Sequence, residues 1–277
     1  MTALAPPGRL AAGGAGASLR RVTAISRRNA YVLIRSPHRF FDLTIWPLVD
    51  VMLFGSLAVF GAQSTGGVQR AAYLLSGVVL WHVVYQANIA LATGFLEETW
   101  TRNLLSLMVT PMREWEYVAG VALFGLVKTA LGVGAVAVTA VALYAFDVTS
   151  LGLGLLPVVV LLMLAGWALA LFVIGLVLRF GTGAEALAWG MLFVLMPLSG
   201  VFYPVSSLPG FLQPVALALP TTHAFDAAHR LALGGSVPWG TLGLAAVTTA
   251  LFGAVAVAFL LRMLHTFRAR GFITRYT

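Results

Sequence analysis

The 277-residue chain contains no cysteine, a single lysine and few charges of any kind, only 9% of its residues being charged. Without cysteine there are no disulfides, no cysteine-ligated zinc and no thiol chemistry. Little charge, set against 60% hydrophobic residues gathered in long runs, excludes a soluble globular domain. The formal net charge of +8 does not make a nucleic-acid surface, because the arginines flank apolar runs and do not cluster on a polar, water-facing side. A phosphate-binding loop is missing as well. GVALFGLVKT at 120–129 comes nearest, yet two residues separate its last glycine from Lys-Thr, and it lies inside an apolar segment. HExxH, serine-nucleophile elbows and paired Asp-rich motifs are absent, so no enzyme active site and no cofactor bound by this chain are expected. His223 and His229 stand beside Asp226, but their spacing splits them across a helix with no third strong ligand near, and no metal site is expected.

What is present is a set of apolar runs, each close to the ~20 residues that cross a bilayer as a helix. They are Leu43–Ala62, Ala71–Thr93, Tyr117–Phe146, Leu151–Leu178, Ala186–Tyr203 and Trp239–Leu261. The expected fold is an all-α integral membrane protein of six transmembrane helices. Short polar connectors, GAQSTGGVQR and FDVTS, make hairpins of runs one and two and of runs three and four. An even number of spans puts both termini on one side. Fourteen of the sixteen arginines fall on that side and only Arg70 and Arg230 on the other, which predicts cytoplasmic termini by the positive-inside rule. Arginine in place of lysine, with heavy Ala, Gly, Val and Leu usage, fits a bacterial inner-membrane protein.

Residues 1–18 lack the apolar core of a secretory signal and are expected as a flexible cytoplasmic tail, with 19–277 forming one transmembrane domain. Over 19–36, Leu19, Val22, Ile25 and Leu33 share one helical arc and Arg20, Arg21, Arg27, Arg28 and Arg35 the opposite one. This pattern predicts an amphipathic helix lying on anionic membrane lipids. The plain alternative is a solvated basic segment.

Residues 200–227, GVFYPVSSLPGFLQPVALALPTTHAFDA, are too broken to span a bilayer and too apolar for an ordinary loop. Irregular backbone at membrane depth survives only where protein or a water-filled cavity satisfies its amides. The reading is therefore a re-entrant helical hairpin on the external side, over 204–235, with Thr221, Thr222 or Asp226 capping its second helix. A Pro-rich surface loop is the alternative. Tyr203, Pro204, Pro209, Phe211, Pro220 and Asp226 are its candidate external-gate residues.

Between runs two and three, the loop 94–114 places Glu97, Glu98 and Arg102 around Trp100 and Leu105, a short amphipathic helix with one apolar face. Ionisable groups inside the bilayer are costly and invite a functional reading. Asp50 and Lys128, in runs one and three, are candidates for an ion pair within a protomer or across a dimer; alternatively Asp50 lines a cargo cavity or Lys128 snorkels. His82, Gln86 and Asn88 in run two read first as interhelical hydrogen-bond partners, with His82 and Gln86 also candidates for a polar pathway.

Taken together, these elements resemble the type-2 ABC exporter permeases over nearly the whole chain after residue 18. The most specific match is SGVFYPVSSLPGFLQPVALALPTTHAFDAAHRLALGG, in which Gly200, Tyr203, Pro204, Leu208 and Pro209 and then Pro220, Thr221, Asp226 and Arg230 fit the family's pattern before the last span. The resemblance implies a permease that dimerises with itself or a paralogue and pairs with two cytoplasmic ATP-binding cassette subunits, which hold ATP and Mg. It also implies that the loop carrying Glu97, Glu98, Trp100, Arg102 and Leu105 is the coupling helix. VTPMREWEY departs from the element usual in polysaccharide exporters, which weakens a sugar cargo. The expected cargo is hydrophobic or amphiphilic: a drug, a lipid or a lipid-linked glycan. An ion-gradient-driven carrier, with Asp50 and Lys128 as its relay, and a non-transporting assembly factor are the alternatives.

Overall fold

The computed structural model describes residues 15–62, 67–100, 114–181 and 185–270. Among them nine α-helices follow in order and no strand occurs: α1 Ala15–Arg35, α2 Pro37–Ala62, α3 Gly67–Trp100, α4 Glu114–Tyr144, α5 Leu155–Phe180, α6 Glu185–Leu198, α7 Gln213–Ala218, α8 Pro220–Ala232 and α9 Trp239–Arg270. Five of these, α2, α3, α4, α5 and α9, are long and apolar enough to cross a membrane.

The fifth apolar run behaves differently from its expected span. It forms α6, only 14 residues long, which at 1.5 Å per residue reaches about 21 Å. Two residues explain the early stop. Pro197 lacks an amide hydrogen, and Gly200 turns the chain at φ 73, a left-handed conformation that other residues resist.

The core is built around α3. Val78, Val79, Leu80, Val83 and Val84 are buried on several sides of it, and they cluster with Val51 of α2, Val136 of α4, Val158 and Leu162 of α5 and Phe225 of α8. A helix apolar on all sides belongs in the middle of a bundle, and α3 is packed by α2, α4, α5 and α8. Between membrane helices the attraction is close packing more than escape from water, so small residues mark the contacts. Gly166 of α5 sits on Val84 and Ala87 of α3 in this way. By contrast, α2 and α9 bury little of their surface within the chain.

The helix α1 folds as its periodicity predicts, burying Val22, Ile25 and Leu33; Leu19, at its start, is exposed. It lies against α4, where the Ile25 side chain and the Val22 carbonyl rest on Gly120. The α4–α5 connection is closed by Asp147, whose carboxylate accepts from the Thr149 amide at 2.8 Å and hydroxyl at 2.7 Å. Those bonds, the hydroxyl's above all, hold its carboxyl below the usual range.

Candidate functional site

Three groups of polar residues stand at three levels of the bundle. At the arginine-rich end, Glu116 of α4 is fully buried and gripped by α1. Arg21 Nε lies 2.8 Å from its Oε2 and Nη2 2.8 Å from its Oε1, a two-pronged ion pair, and the Ser18 hydroxyl donates to Oε1 at 2.5 Å. Fork-to-fork geometry of this kind is the strong form of the interaction. Glu116 follows by a few residues the segment 101–113, so α1 is fastened to the helix that leaves that loop. The sequence reading missed this clamp. Its signal was present, an arginine near the buried arc of α1 and an acid just past the loop, but only the fold brings the two together.

The residues expected to form the coupling helix are only partly described. α3 continues as helix through Glu97, Glu98 and Trp100, well beyond the expected end of its span at Thr93. Arg102 and Leu105 lie outside the described residues.

Near the middle of the bundle, Asp50 of α2 faces His82 of α3, with Oδ2 3.4 Å from Nε2. The other ring nitrogen of His82 donates to the Val78 carbonyl at 2.9 Å. His82 is thus an interhelical partner, as expected, but to Asp50. The register of α4 explains why Lys128 is not at this level. The Tyr144 ring covers Gly55, and its hydroxyl donates to the Met52 carbonyl at 2.8 Å and lies 3.1 Å from the Ser56 hydroxyl. From that contact Asp50 is roughly 8 Å back along α2, whereas Lys128 is roughly 24 Å back along α4, which runs parallel to it. Gln86 is buried with its amide over Gly132 of α4. Asn88 departs from expectation: it is fully enclosed, and neither amide atom has a hydrogen-bond partner among the described residues.

At the far end, α8 is wedged among α3, α5 and α9. It buries Pro220, Thr221, Thr222, Ala224, Phe225, Ala227, Ala228, His229 and Leu231 along its length. The expected side-chain cap is not formed; Leu219 precedes the helix with no side-chain bond. Proline at the first position makes one cap donor unnecessary, and the threonines serve as tethers instead. Thr222 donates to the Ala216 carbonyl of α7 at 2.6 Å, and Thr221 shares a hydrogen with Ser199 at 2.6 Å. Asp226 is exposed and pairs with Arg230 one turn on at 2.9 Å.

α8 is also held by the stack of Tyr73 on His229, ring centroids 3.5 Å apart, with the Tyr73 hydroxyl donating to the Gly200 carbonyl at 3.3 Å. Gly77, one turn along α3, must be glycine: a Cβ there would stand 2.0 Å from the Val201 carbonyl oxygen. Burial pushes the His229 imidazole down to about 3, against a weaker upward pull from a hydrogen bond to the Tyr73 backbone. Of the remaining expected gate residues, Tyr203 is half-buried, Pro204 opens a short 3-10 turn at Val205–Ser207, and Pro209 and Phe211 are exposed. His223 donates to the Leu217 carbonyl, so the two histidines serve separate local contacts.

Compared with known families, residues 20–232 match the family model described as ABC-2 type transporter. No curated protein matches the chain.

Proposed function

The chain belongs to the ABC-2 type transporter family, a family of multi-pass membrane permease components, and on that footing we propose that it exports hydrophobic or amphiphilic cargo as a dimer. The energy comes from two copies of a separate cytoplasmic ATP-binding cassette subunit, which carry ATP and Mg. Both termini and the 101–113 loop face the cytoplasm of a bacterial cell. The short helix α6 with the irregular segment after it completes a sixth crossing. The α7–α8 pair re-enters the outer leaflet, where it flanks the external mouth of a cavity between protomers.

The observation that supports this reading best is the clamp of Arg21 on Glu116. A push on the cytoplasmic loop reaches α4 and α1 together, and α1 lies along the membrane surface. A carrier driven by an ion gradient has no need of such a fastening beside a cytoplasmic loop. The test is purification of the chain with an ATP-binding cassette subunit from its native membrane, followed by ATP-dependent cargo uptake into inverted vesicles. A chain that purifies without any such ATPase, and vesicles that take up cargo with an ion gradient alone, would defeat the proposal.

A further inference from the structure

We infer that Asp50 and His82 form a subsite for the protonated amine of an amphiphilic cargo molecule, an inference that rests on the permease reading above. The Val78 carbonyl oxygen can only accept a hydrogen bond, so the hydrogen of the 2.9 Å contact sits on His82 Nδ1. A neutral imidazole then carries a lone pair on Nε2, and Nε2 faces Asp50 Oδ2 across 3.4 Å. Two acceptors confront each other. The pair is satisfied when a donor stands against both: a proton on Nε2, a bridging water, or an ammonium group, whose three N–H bonds serve both acceptors at once and whose charge also complements the carboxylate.

Exposure decides from which side the donor arrives. The His82 side chain is 2% exposed and that of Asp50 42%. A carboxylate this open, near the middle of a membrane-length helix, is not stable against hydrocarbon and must face water, a second chain or a ligand. On the same side of α2, Trp46 lies one turn before it and Val49 and Leu53 lie alongside, all largely exposed. The face of a tryptophan attracts a cation, and the two aliphatic residues suit an alkyl or aryl body. An anionic head would be repelled by Asp50. A neutral hydroxyl head brings one O–H for two acceptors and no charge to complement Asp50, which is how a polar site disfavours an analogue.

Three other titratable groups among the described residues stand further off. The Tyr85 ring centroid is 6.1 Å from that of His82, Tyr144 is bound toward the far end by Met52 and Ser56, and Lys128 lies toward the arginine-rich end.

The experiment uses the full-length protein in nanodiscs, 15N-labelled at histidine, with the His82 resonances identified by their loss in His82→Gln. Three probes share one chain: dodecylammonium, dodecyltrimethylammonium and dodecanol. Dodecylammonium is expected to shift the His82 Nε2 resonance saturably, at about tenfold lower concentration than the trimethyl compound, the fold-change of one hydrogen bond to a charged group. Dodecanol is expected to leave it in place, and Asp50→Asn to abolish the dodecylammonium response. A resonance that ignores dodecylammonium, that follows dodecanol equally, or that responds unchanged in Asp50→Asn overturns the inference. The probe comparison on the unaltered protein holds whatever Asp50→Asn does to folding. None of these outcomes touches the permease reading, which stands or falls on purification with an ATPase and on ATP-driven uptake.

Discussion

Tyr73 lies flat on His229, 14° between ring planes, and through its hydroxyl holds the carbonyl of Gly200, so one side chain of α3 ties α8 to the turn that ends α6. The stack predicts a pH dependence. Folded His229 is pushed down to about 3 and stays neutral, whereas the unfolded chain takes up a proton near the ordinary value of 6.5. Its folded value is the depressed one, so stability is level above about pH 6.5 and falls as pH drops from there toward about 3, by about 1.4 kcal/mol per pH unit. His229→Phe keeps an aromatic ring and removes the proton site. Thermal unfolding in detergent between pH 8 and pH 5 should show a smaller acid-side loss in that variant than in the parent; equal losses would assign the effect to another group.

Arg21 and Glu116 predict a sign pattern in a double-mutant cycle. Arg21→Ala strands a fully buried carboxylate and should cost about 3–5 kcal/mol, as the loss of one partner of a buried pair does. Arg21→Ala with Glu116→Gln should cost less than Arg21→Ala alone, because the stranded charge is gone. Additive costs in the cycle would show that the two side chains act independently.

At the loop, charge reversal of Glu97 and Glu98, or Trp100→Ala, is expected to abolish ATP-driven uptake while membrane insertion and yield stay normal. Tryptophan is among the usual anchors of a protein interface, and reversing acidic charges at its rim turns any electrostatic complementarity into repulsion. Uptake and recovery of the ATPase at parental levels in all three variants would remove these residues from the coupling surface.

The α7–α8 segment can be mapped with single cysteines, since the native chain has none. A membrane-impermeant maleimide added from outside should label Ser206→Cys, Ser207→Cys, Gly234→Cys and Gly235→Cys quickly and Ala216→Cys and Ala228→Cys slowly, the last two positions being buried. Uniformly fast labelling would make the segment an open loop. Labelling from the cytoplasmic side alone would reverse the topology.

Part of this architecture was legible in the sequence because hydrophobic runs and their periodicity are local signals. The amphipathic α1 and the long helices follow from periodicity, whereas the fifth run reads as a span through Tyr203 although Pro197 and Gly200, lying inside it, end α6 at Leu198. What escaped is what depends on register between helices. Asp50 invited pairing with Lys128 because both are charged and lie in membrane runs, but the seating of Tyr144 on Gly55 puts His82 beside Asp50 instead. Glu116 looked like any acid at a helix start until α1 folded over it. Thr221 and Thr222 read as caps, and tertiary contacts with Ser199 and the Ala216 carbonyl took their hydroxyls. Nothing in the structure explains why Asn88 is enclosed without a partner among the described residues.

The clamp also sets an order of events during synthesis. Arg21 and Glu116 are separated by 95 positions in the chain, and a ribosome adding about 5–20 residues per second needs roughly 5–20 s to make that stretch. For those seconds α1 has been made and the helix that will hold it has not. A basic, amphipathic segment can wait on the lipid surface through the interval, whereas an evenly apolar one would enter the bilayer as a span and invert every helix after it. On the interfacial reading of α1, its arginines serve the nascent chain first, as a mooring, and Arg21 is handed to Glu116 only once α4 has come into place.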